Sequence, residues 1–324
     1  MINVSVIIPT KNGGSIYKKV LDKLLEQVIL CDFEIIIIDS GSKDETISYT
    51  KEKMKKHVNI VLKEIKPSEF GHGKTRNYGA SIAEGEFLVF ITQDALPYNE
   101  YWLSEMIKPF ELGEEVVGVF GKHLPYNDCD IFEKHNLTVH FNNFGQGTIV
   151  YKIDNQERYD NDEGYRHLLC FYSDNSSAMR KSIWQKIPYD NVDFAEDQLW
   201  AKKIIELGYS KAYNSKAIVY HSHNYSFKEM MMRSFDDHKG LYKIYKYVPV
   251  KNFFYLPLHI INHIKNDYKY LKILDIPRKE KKKWFIFSIK KNICKYIGAY
   301  FGPKGNNNEF INKIFSRERI LRNQ

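Results

Sequence analysis

Phe87-Leu88-Val89-Phe90-Ile91-Thr92-Gln93-Asp94-Ala95 is the stretch that decides how this 324-residue chain folds. Its five leading apolar residues read as a strand buried on both faces, as strands of a parallel sheet are. The run then stops at a polar tip carrying one carboxylate. In open α/β sheets, ligands bind beyond the carboxyl ends of the strands. A carboxylate after so apolar a run is costly to hold unless something positive lies against it. A divalent metal bound to a nucleotide diphosphate is the partner expected at Asp94.

Toward the N-terminus the same pattern repeats. Val4 to Thr10 alternates and is β-branched, and Phe33 to Asp39 is a continuous apolar run ending in another carboxylate. Val58 to Leu62 reads as a third strand. Between them, apolar residues at helical spacing (Val20, Leu21, Leu24, Leu25, Val28) and the turn Ser40 to Thr46 leading into a helix through Met54 complete a strand–helix alternation. That order implies a parallel sheet with right-handed crossovers. Asp39 either organises the turn before Gly41 or accepts a hydrogen bond from a nucleotide base or ribose. Thr10-Lys11-Asn12-Gly13-Gly14 is not a dinucleotide-binding glycine signature, and no Walker A sequence is present. Phosphates are therefore expected to be held by a metal and by side chains. In Phe70-Gly71-His72-Gly73-Lys74-Thr75-Arg76-Asn77 two glycines flank His72 at the entry to a helix. Lys74 and Arg76 are unfavourable near a helix N-terminus, which points either to a bound anion or to a solvated basic loop.

On the other side of Asp94 come a helix from Glu100 to about Phe110 and a strand from Val116 to Phe120. Gly121 to Gly164 loses all periodicity and is assigned to the acceptor side. Phe171 to Arg180 is a short strand. Glu196 and Asp197 are adjacent carboxylates at a helix start, a common capping arrangement as well as a functional one. After the last strand, Ala217 to Tyr220, His221-Ser222-His223 places two imidazoles on one face, as a metal site needs.

Four scattered cysteines without a C-x-x-C pair favour neither a zinc knuckle nor a disulfide framework. No apolar run reaches the roughly 18–20 residues that cross a bilayer, and Met1 to Val4 does not read as a signal peptide, so a cytoplasmic location is expected. The charge is uneven. Residues 241–324 hold 19 basic and 5 acidic side chains, against 29 and 35 in the preceding 240. Within that tail, Ile286, Ile289, Ile293, Ile297 and Tyr300 recur with Lys290, Lys291 and Lys295 between them. Such a helix either lies on an anionic membrane or packs its apolar stripe on the catalytic body.

Taken in order, Val6 to Thr10, Ile38 to Asp44, Phe70 to Asn77, Thr92 to Ala95 and Ala195 to Asp197 resemble the family 2 glycosyltransferases with the GT-A fold, most closely their rhamnosyltransferase branch. The resemblance covers about 4–225. It implies a mostly parallel central sheet flanked by helices, with a catalytic domain over 1–225 (nucleotide-sugar half about 1–120, acceptor half about 121–225) and a helical basic region over 226–324. It implies an inverting transferase using a dTDP- or UDP-sugar, with L-rhamnose the favoured sugar. The acceptor would be a glycan or polyprenyl-linked oligosaccharide. Pro9, Thr10 and Asp39 would form the nucleoside pocket, joined on the nucleotide side by Lys11, Gly41, Lys74 and Gln93. Arg76 would approach the diphosphate. Asp94 resembles the last carboxylate of the family's Asp-x-Asp motif, here Thr92-Gln93-Asp94, and with His221 or His223, of which His221 is favoured, would hold Mg²⁺ or Mn²⁺. Asp197 matches the general base, with Glu196 beside it. His72, Asn175, Trp200 and His223 are sugar or acceptor candidates. Peripheral attachment to an anionic membrane through the tail is expected, and nucleic acid is not. The rival from another class is a non-catalytic nucleotide-sugar or membrane-binding module.

Overall fold

The computed structural model describes residues 3–192 and 194–322. Met1 and Ile2, part of the stretch read for a leader, and the last two residues of the tail lie outside these. The chain divides into two compact units, Met1–Val192 with Glu196–His223, and Asp193–Ala195 with Asn224–Gln324.

In chain order the first unit begins β1 (Val4–Thr10), α1 (Gly14–Leu25), β2 (Phe33–Asp39), α2 (Thr46–Met54), β3 (Ile60–Glu64), α3 (His72–Ile82), β4 (Phe87–Ile91), β5 (Leu96–Pro97), α4 (Trp102–Ile107) and β6 (Val116–Leu124). It continues with α5 (Ile131–Asn142), β7 (Thr148–Tyr151), α6 (Gln156–Asn161), α7 (Glu163–Cys170), β8 (Ser176–Arg180), α8 (Lys181–Lys186), α9 (Glu196–Glu206) and β9 (Ser210–Tyr220). One sheet has the order β3-β2-β1-β4-β8-β6-β9-β5, with β7 also paired to β9. The run β3-β2-β1-β4 is parallel. Its residues Ile7, Ile37 and Val89 are fully buried, which is why these strands read as unbroken apolar runs.

Beyond β4 the sheet becomes mixed. β8 runs antiparallel to β4, pairing Ser176 with Ile91, and antiparallel to β6, pairing Ser177 with Phe120. β9 is parallel to β6 and ends at the pair Leu124–Tyr220. The carboxyl ends of β1, β2, β4, β6 and β9 therefore meet the start of β8 at one end of the sheet. That geometry positions the site.

The segment 121–164, which reads as irregular, is mostly strand and helix. The Asn and Asp residues that suggest loops are helix caps. Asp130 accepts from the N–H groups of Phe132 and Glu133, Asn155 from Arg158, and Asp162 from Tyr165. Its aromatics turn inward, where Phe120 meets Phe144 edge-on at 5.1 Å and Phe141 and Tyr213 pack beside them.

The second unit contains α10 (Phe227–Tyr245), α11 (Leu256–Ile273), α12 (Arg278–Gly305), α13 (Glu309–Phe315) and α14 (Arg317–Arg322). Ser226 and Glu229 form a reciprocal capping box at the start of α10. The reading of Trp284 to Phe301 as an apolar stripe with lysines on the opposite face is corrected here. Lys291 is buried, 3.5 Å from Asp267, whose carboxylate also accepts from Ser288 and Asn292. Ile286 and Ile293 stay exposed instead. The face that packs is made of small residues. A Cβ on Gly298 would lie 2.1 Å from the Met231 carbonyl oxygen, and one on Gly305 2.3 Å from the Phe235 ring. Two helices this close leave no room for a conventional Ile stripe between them. Among the described residues no helix is long and apolar enough to cross a membrane.

Gly121 sits at a register shift between β6 and β9, where a Cβ would stand 2.2 Å from the Ala217 carbonyl oxygen and 2.7 Å from Ser176 Oγ. Gly121→Ala should lower stability by about 1–3 kcal/mol, read as a lower denaturant midpoint with an unchanged slope.

Candidate active site

Two clusters of ionisable side chains occupy the end of the sheet just described. The first surrounds Asp94, in the loop after β4. His221 Nε2 lies 3.7 Å from one Asp94 oxygen and His223 Nδ1 3.7 Å from the other. The candidate ligand atoms of all three lie within 4.8 Å of one another. Burial opposes ionisation of Asp94, but the charge of His221, then His223, and a Thr92 hydrogen bond outweigh it and hold the carboxyl below its ordinary range. His223, read both as a same-face partner of His221 and as a sugar or acceptor candidate, joins His221, because residues i and i+2 of the extended segment after β9 point the same way. This donor set, one ionised carboxylate and two imidazoles, suits a divalent transition cation and leaves further positions for ligand oxygens. Thr92 replaces an acidic residue at the head of the motif, so the second histidine fills out the donor set without restoring its charge.

Asn175 supports this cluster, with Nδ2 3.3 Å from His221 Nδ1 and Oδ1 3.5 Å from Thr92 Oγ1. Tyr126, which the sequence reading missed, donates from its hydroxyl to the Asp94 backbone oxygen at 2.9 Å. Gln93 clamps the loop after β1. Its Oε1 accepts from the Lys11 N–H at 2.9 Å and its Nε2 donates to the Lys11 carbonyl at 3.1 Å.

The second cluster is built on Arg76. Its Nη1 donates to Glu196 Oε1 at 2.6 Å, and its Nε faces Asp174 Oδ2 at 3.1 Å without the alignment of a hydrogen bond. The side chains of Arg76, Glu196 and Asp174 are no more than 6% exposed. This corrects the expectation that Arg76 approaches the diphosphate, because its guanidinium is enclosed by two carboxylates. The glycine-rich loop explains the enclosure. A Cβ on Gly73 would sit 2.6 Å from the Asp190 carbonyl oxygen, while Asn77 bonds the Tyr189 backbone and the Trp184 indole. The motif Phe70 to Asn77 thus docks the segment leading to α9. Lys74 remains exposed on the first turn of α3 and His72 is half-buried.

Asp197 lies on the edge of this cluster, half-buried, accepting from the Asp174 N–H at 3.3 Å and from its neighbour Gln198. Burial, then the charges of Glu196 and Asp174, push its carboxyl well above the usual range, and Arg76 only partly opposes them. Asp174 is raised as well, by burial first and Glu196 next, against Arg76 and bonds from Ser177 and Tyr189. Asp174 was not singled out in the sequence, where a lone Asp before a strand is an ordinary turn residue. The two clusters are joined by the dipeptide Asp174-Asn175, whose first member touches Asp197 and whose second touches His221.

Two further expectations change. Asp39 is fully buried, and its oxygens accept from Gly41 N–H, Ser42 N–H, Ser42 Oγ and Thr10 Oγ1. It organises the turn at Gly41 (φ 88°) and so takes the turn role rather than an open acceptor role for a base. Pro9, at the end of the same strand as Thr10, is half-buried. Trp200 is 1% exposed, bonds the Ile187 carbonyl and packs on Tyr172, so it is a core residue that no sugar can reach. Its place on the amphipathic face of α9 carries that signal.

His221→Ala and His223→Ala should each weaken Mn²⁺ binding at least about tenfold, measured by the loss of free-ion signal in electron paramagnetic resonance. Glu196→Gln removes the largest charge that resists ionisation of Asp197. The Asp197 carboxyl should then titrate at lower pH, followed by ¹³C-detected NMR.

The Glycosyl transferase family 2 model matches residues 5–187. The O-antigen chain rhamnosyltransferase RfbN of Salmonella typhimurium is 33% identical over 240 residues, 72% of this chain and 71% of that one. WbaN of Salmonella anatum, another O-antigen chain rhamnosyltransferase, is 33% identical over 244 residues, 73% and 71% of the two chains. In three dimensions the mannosyltransferase PcManGT of Pyrobaculum calidifontis, solved with GDP-Man and Mn²⁺, superposes with a TM-score of 0.59 at 15% identity, covering 94% of this chain and 88% of that one. The sheet and its helices are thus those of the GT-A fold. With the matching model spanning more than half its length, this chain belongs to glycosyl transferase family 2 and is a glycosyltransferase.

Proposed function

We propose that this glycosyltransferase moves L-rhamnose, with inversion, from dTDP-L-rhamnose to a hydroxyl of a growing surface polysaccharide or lipid-linked oligosaccharide, at the inner face of the cell membrane. The observation that carries this reading is the junction of the two clusters through Asp174-Asn175. It brings three side chains that could hold a cation and a carboxyl of raised pKa to the same end of the sheet. The rhamnosyl donor is favoured by the kinship with RfbN and WbaN, whose names give that activity.

Asp197 is the proposed base. An acceptor hydroxyl is a weak nucleophile at neutral pH and must lose its proton as the new bond forms. A carboxylate of raised pKa takes that proton more readily than an ordinary one. Arg76 is not itself in contact with reactants. It opposes the charges of Glu196 and Asp174 that hold the Asp197 carboxyl raised. Asp94, His221 and His223 would hold Mg²⁺ or Mn²⁺. Such a cation supplies positive charge for the departing nucleoside diphosphate. Asn175 keeps the His221 ring oriented, and Gln93 fixes the Lys11 loop on the nucleotide side. One base is enough, in contrast to the carboxylate pair of glycoside hydrolysis.

Asp197→Asn should cut turnover by about 10²–10⁴-fold while donor affinity is retained, as measured by transfer assays alongside calorimetric titration of donor. Transfer at the wild-type rate removes Asp197 from the mechanism. Because Asp197 must be ionised, activity should rise with pH along an acid limb displaced above that of an ordinary carboxylate. Glu196→Gln should shift that limb to lower pH. In a thermal-shift panel with Mn²⁺, dTDP-L-rhamnose should raise the melting temperature more than UDP- or GDP-sugars do. A larger shift with UDP-N-acetylglucosamine reassigns the donor.

A further inference from the structure

The second unit has its own cavity, distant in chemistry from the transfer site. A pocket of about 290 Å³ is lined by Tyr268, Leu271 and Lys272 from α11 and by Arg278, Lys281, Lys282 and Phe285 from α12. Four of these seven residues are cationic. Among the described residues none of the four forms an ion pair, although Asp275 and Glu280 are close in sequence. Lys281 Nζ donates to the Lys272 carbonyl at 3.2 Å, and Lys272 Nζ lies 4.8 Å from the centre of the Tyr268 ring. The Tyr268 and Phe285 rings meet edge-on at 5.5 Å. Converging cations without counter-ions repel one another, and an anion between them relieves that repulsion.

An apolar stripe leads to this pocket. Phe254, Leu258, Ile261, Lys265, Tyr268 and Lys272 recur at intervals of three and four, so they share one face of the helical run through α11. Phe254 is 84% exposed, Leu258 56% and Ile261 47%. Large apolar side chains exposed together at successive turns of one helix mark an interaction surface. Apolar at one end and cationic at the other, the face matches a bilayer surface, where side chains enter the acyl boundary beside anionic headgroups.

We propose that the pocket between α11 and α12 takes the phosphate-bearing headgroup of an anionic membrane lipid, while Phe254, Leu258 and Ile261 enter the apolar layer. The assignment is independent of the transfer chemistry, since binding is read with no donor present. It also moves the membrane contact expected for the basic tail from residues 284–301 to α11 and the first turn of α12.

The test is cosedimentation of the full chain with vesicles of equal parts phosphatidylglycerol and phosphatidylcholine, compared with pure phosphatidylcholine. Wild type should bind only the first. Lys272→Gln/Arg278→Gln/Lys282→Gln, all at exposed positions, should bind roughly 100-fold more weakly, about fivefold per charge. Phe254→Ser/Leu258→Ser should lose more than about tenfold. The control Lys55→Gln/Lys56→Gln/Lys63→Gln, with the same charge change in the first unit, should stay within about twofold of wild type. Circular dichroism checks that each variant is folded. Equal loss in the control, or no loss in the pocket variant, overturns the proposal. Loss in the pocket variant alone, with the Phe254/Leu258 variant unaffected, means adsorption by charge alone and overturns the entry of Phe254, Leu258 and Ile261 into the apolar layer. Binding to single-stranded RNA without binding to vesicles overturns it too.

Discussion

The guanidinium of Arg76 is enclosed in the protein with Glu196 at 2.6 Å and Asp174 at 3.1 Å, and the site's chemistry follows from that enclosure. A single cation faces a group of three carboxyls, counting Asp197 at the edge. Removing charges from water is expensive, and a lone buried carboxylate neutralises itself by taking a proton. Arg76 opposes this at Asp174 without cancelling it, so that carboxyl stays raised. Asp197, further from the guanidinium and next to both acids, bears the residual repulsion. The pairs are weak grounds for claiming stability, since apolar residues of similar size fill such space as well. Their effect is on where a proton sits.

The sheet reversal at β8 makes this possible. Had β8 continued parallel to β4, its amino end would lie at the far edge of the sheet, and Asp174 and Asn175 would leave the site. Antiparallel pairing of Ile91 with Ser176 instead sets this dipeptide beside the loop holding Asp94. The same reversal aligns β6 and β9, so the histidines after β9 and Tyr126 after β6 arrive from the other side. Ala195, at φ 61°, holds a left-handed conformation immediately before Glu196. For a residue with a Cβ this costs about 1 kcal/mol or more, and the surrounding contacts maintain it where two acids must be presented side by side.

The helical unit uses a different economy of contacts. Small residues on α12 allow backbone-close packing on α10, and Asp267 gathers Ser288, Lys291 and Asn292 into a polar seam between α11 and α12. With glycines and a satisfied polar seam inside, large apolar residues of α11 are left outside. The charge asymmetry along the chain acquires a location in this way. Part of it is consumed internally by Lys291, and part collects at the junction of α11 and α12.

The amino-acid sequence by itself determined the alternation of strands and helices, the carboxylate beyond β4, the paired imidazoles beyond β9 and the acidic start of α9. These are local features, set by periodicities of two and 3.6 residues and by strand-end chemistry that any window of the chain contains. Tertiary structure decided the partners. Glu196 meets Arg76 across 120 residues of chain, and no local pattern distinguishes a solvated arginine from one folded beneath two acids. For Asp39 and Trp200 the sequence left two readings open, and burial decided between them, making one a turn organiser and the other core. The glycines of Phe70 to Asn77 were legible as a special backbone. What they approach was not, because a close contact belongs equally to the segment on its other side, here Tyr189 to Glu196.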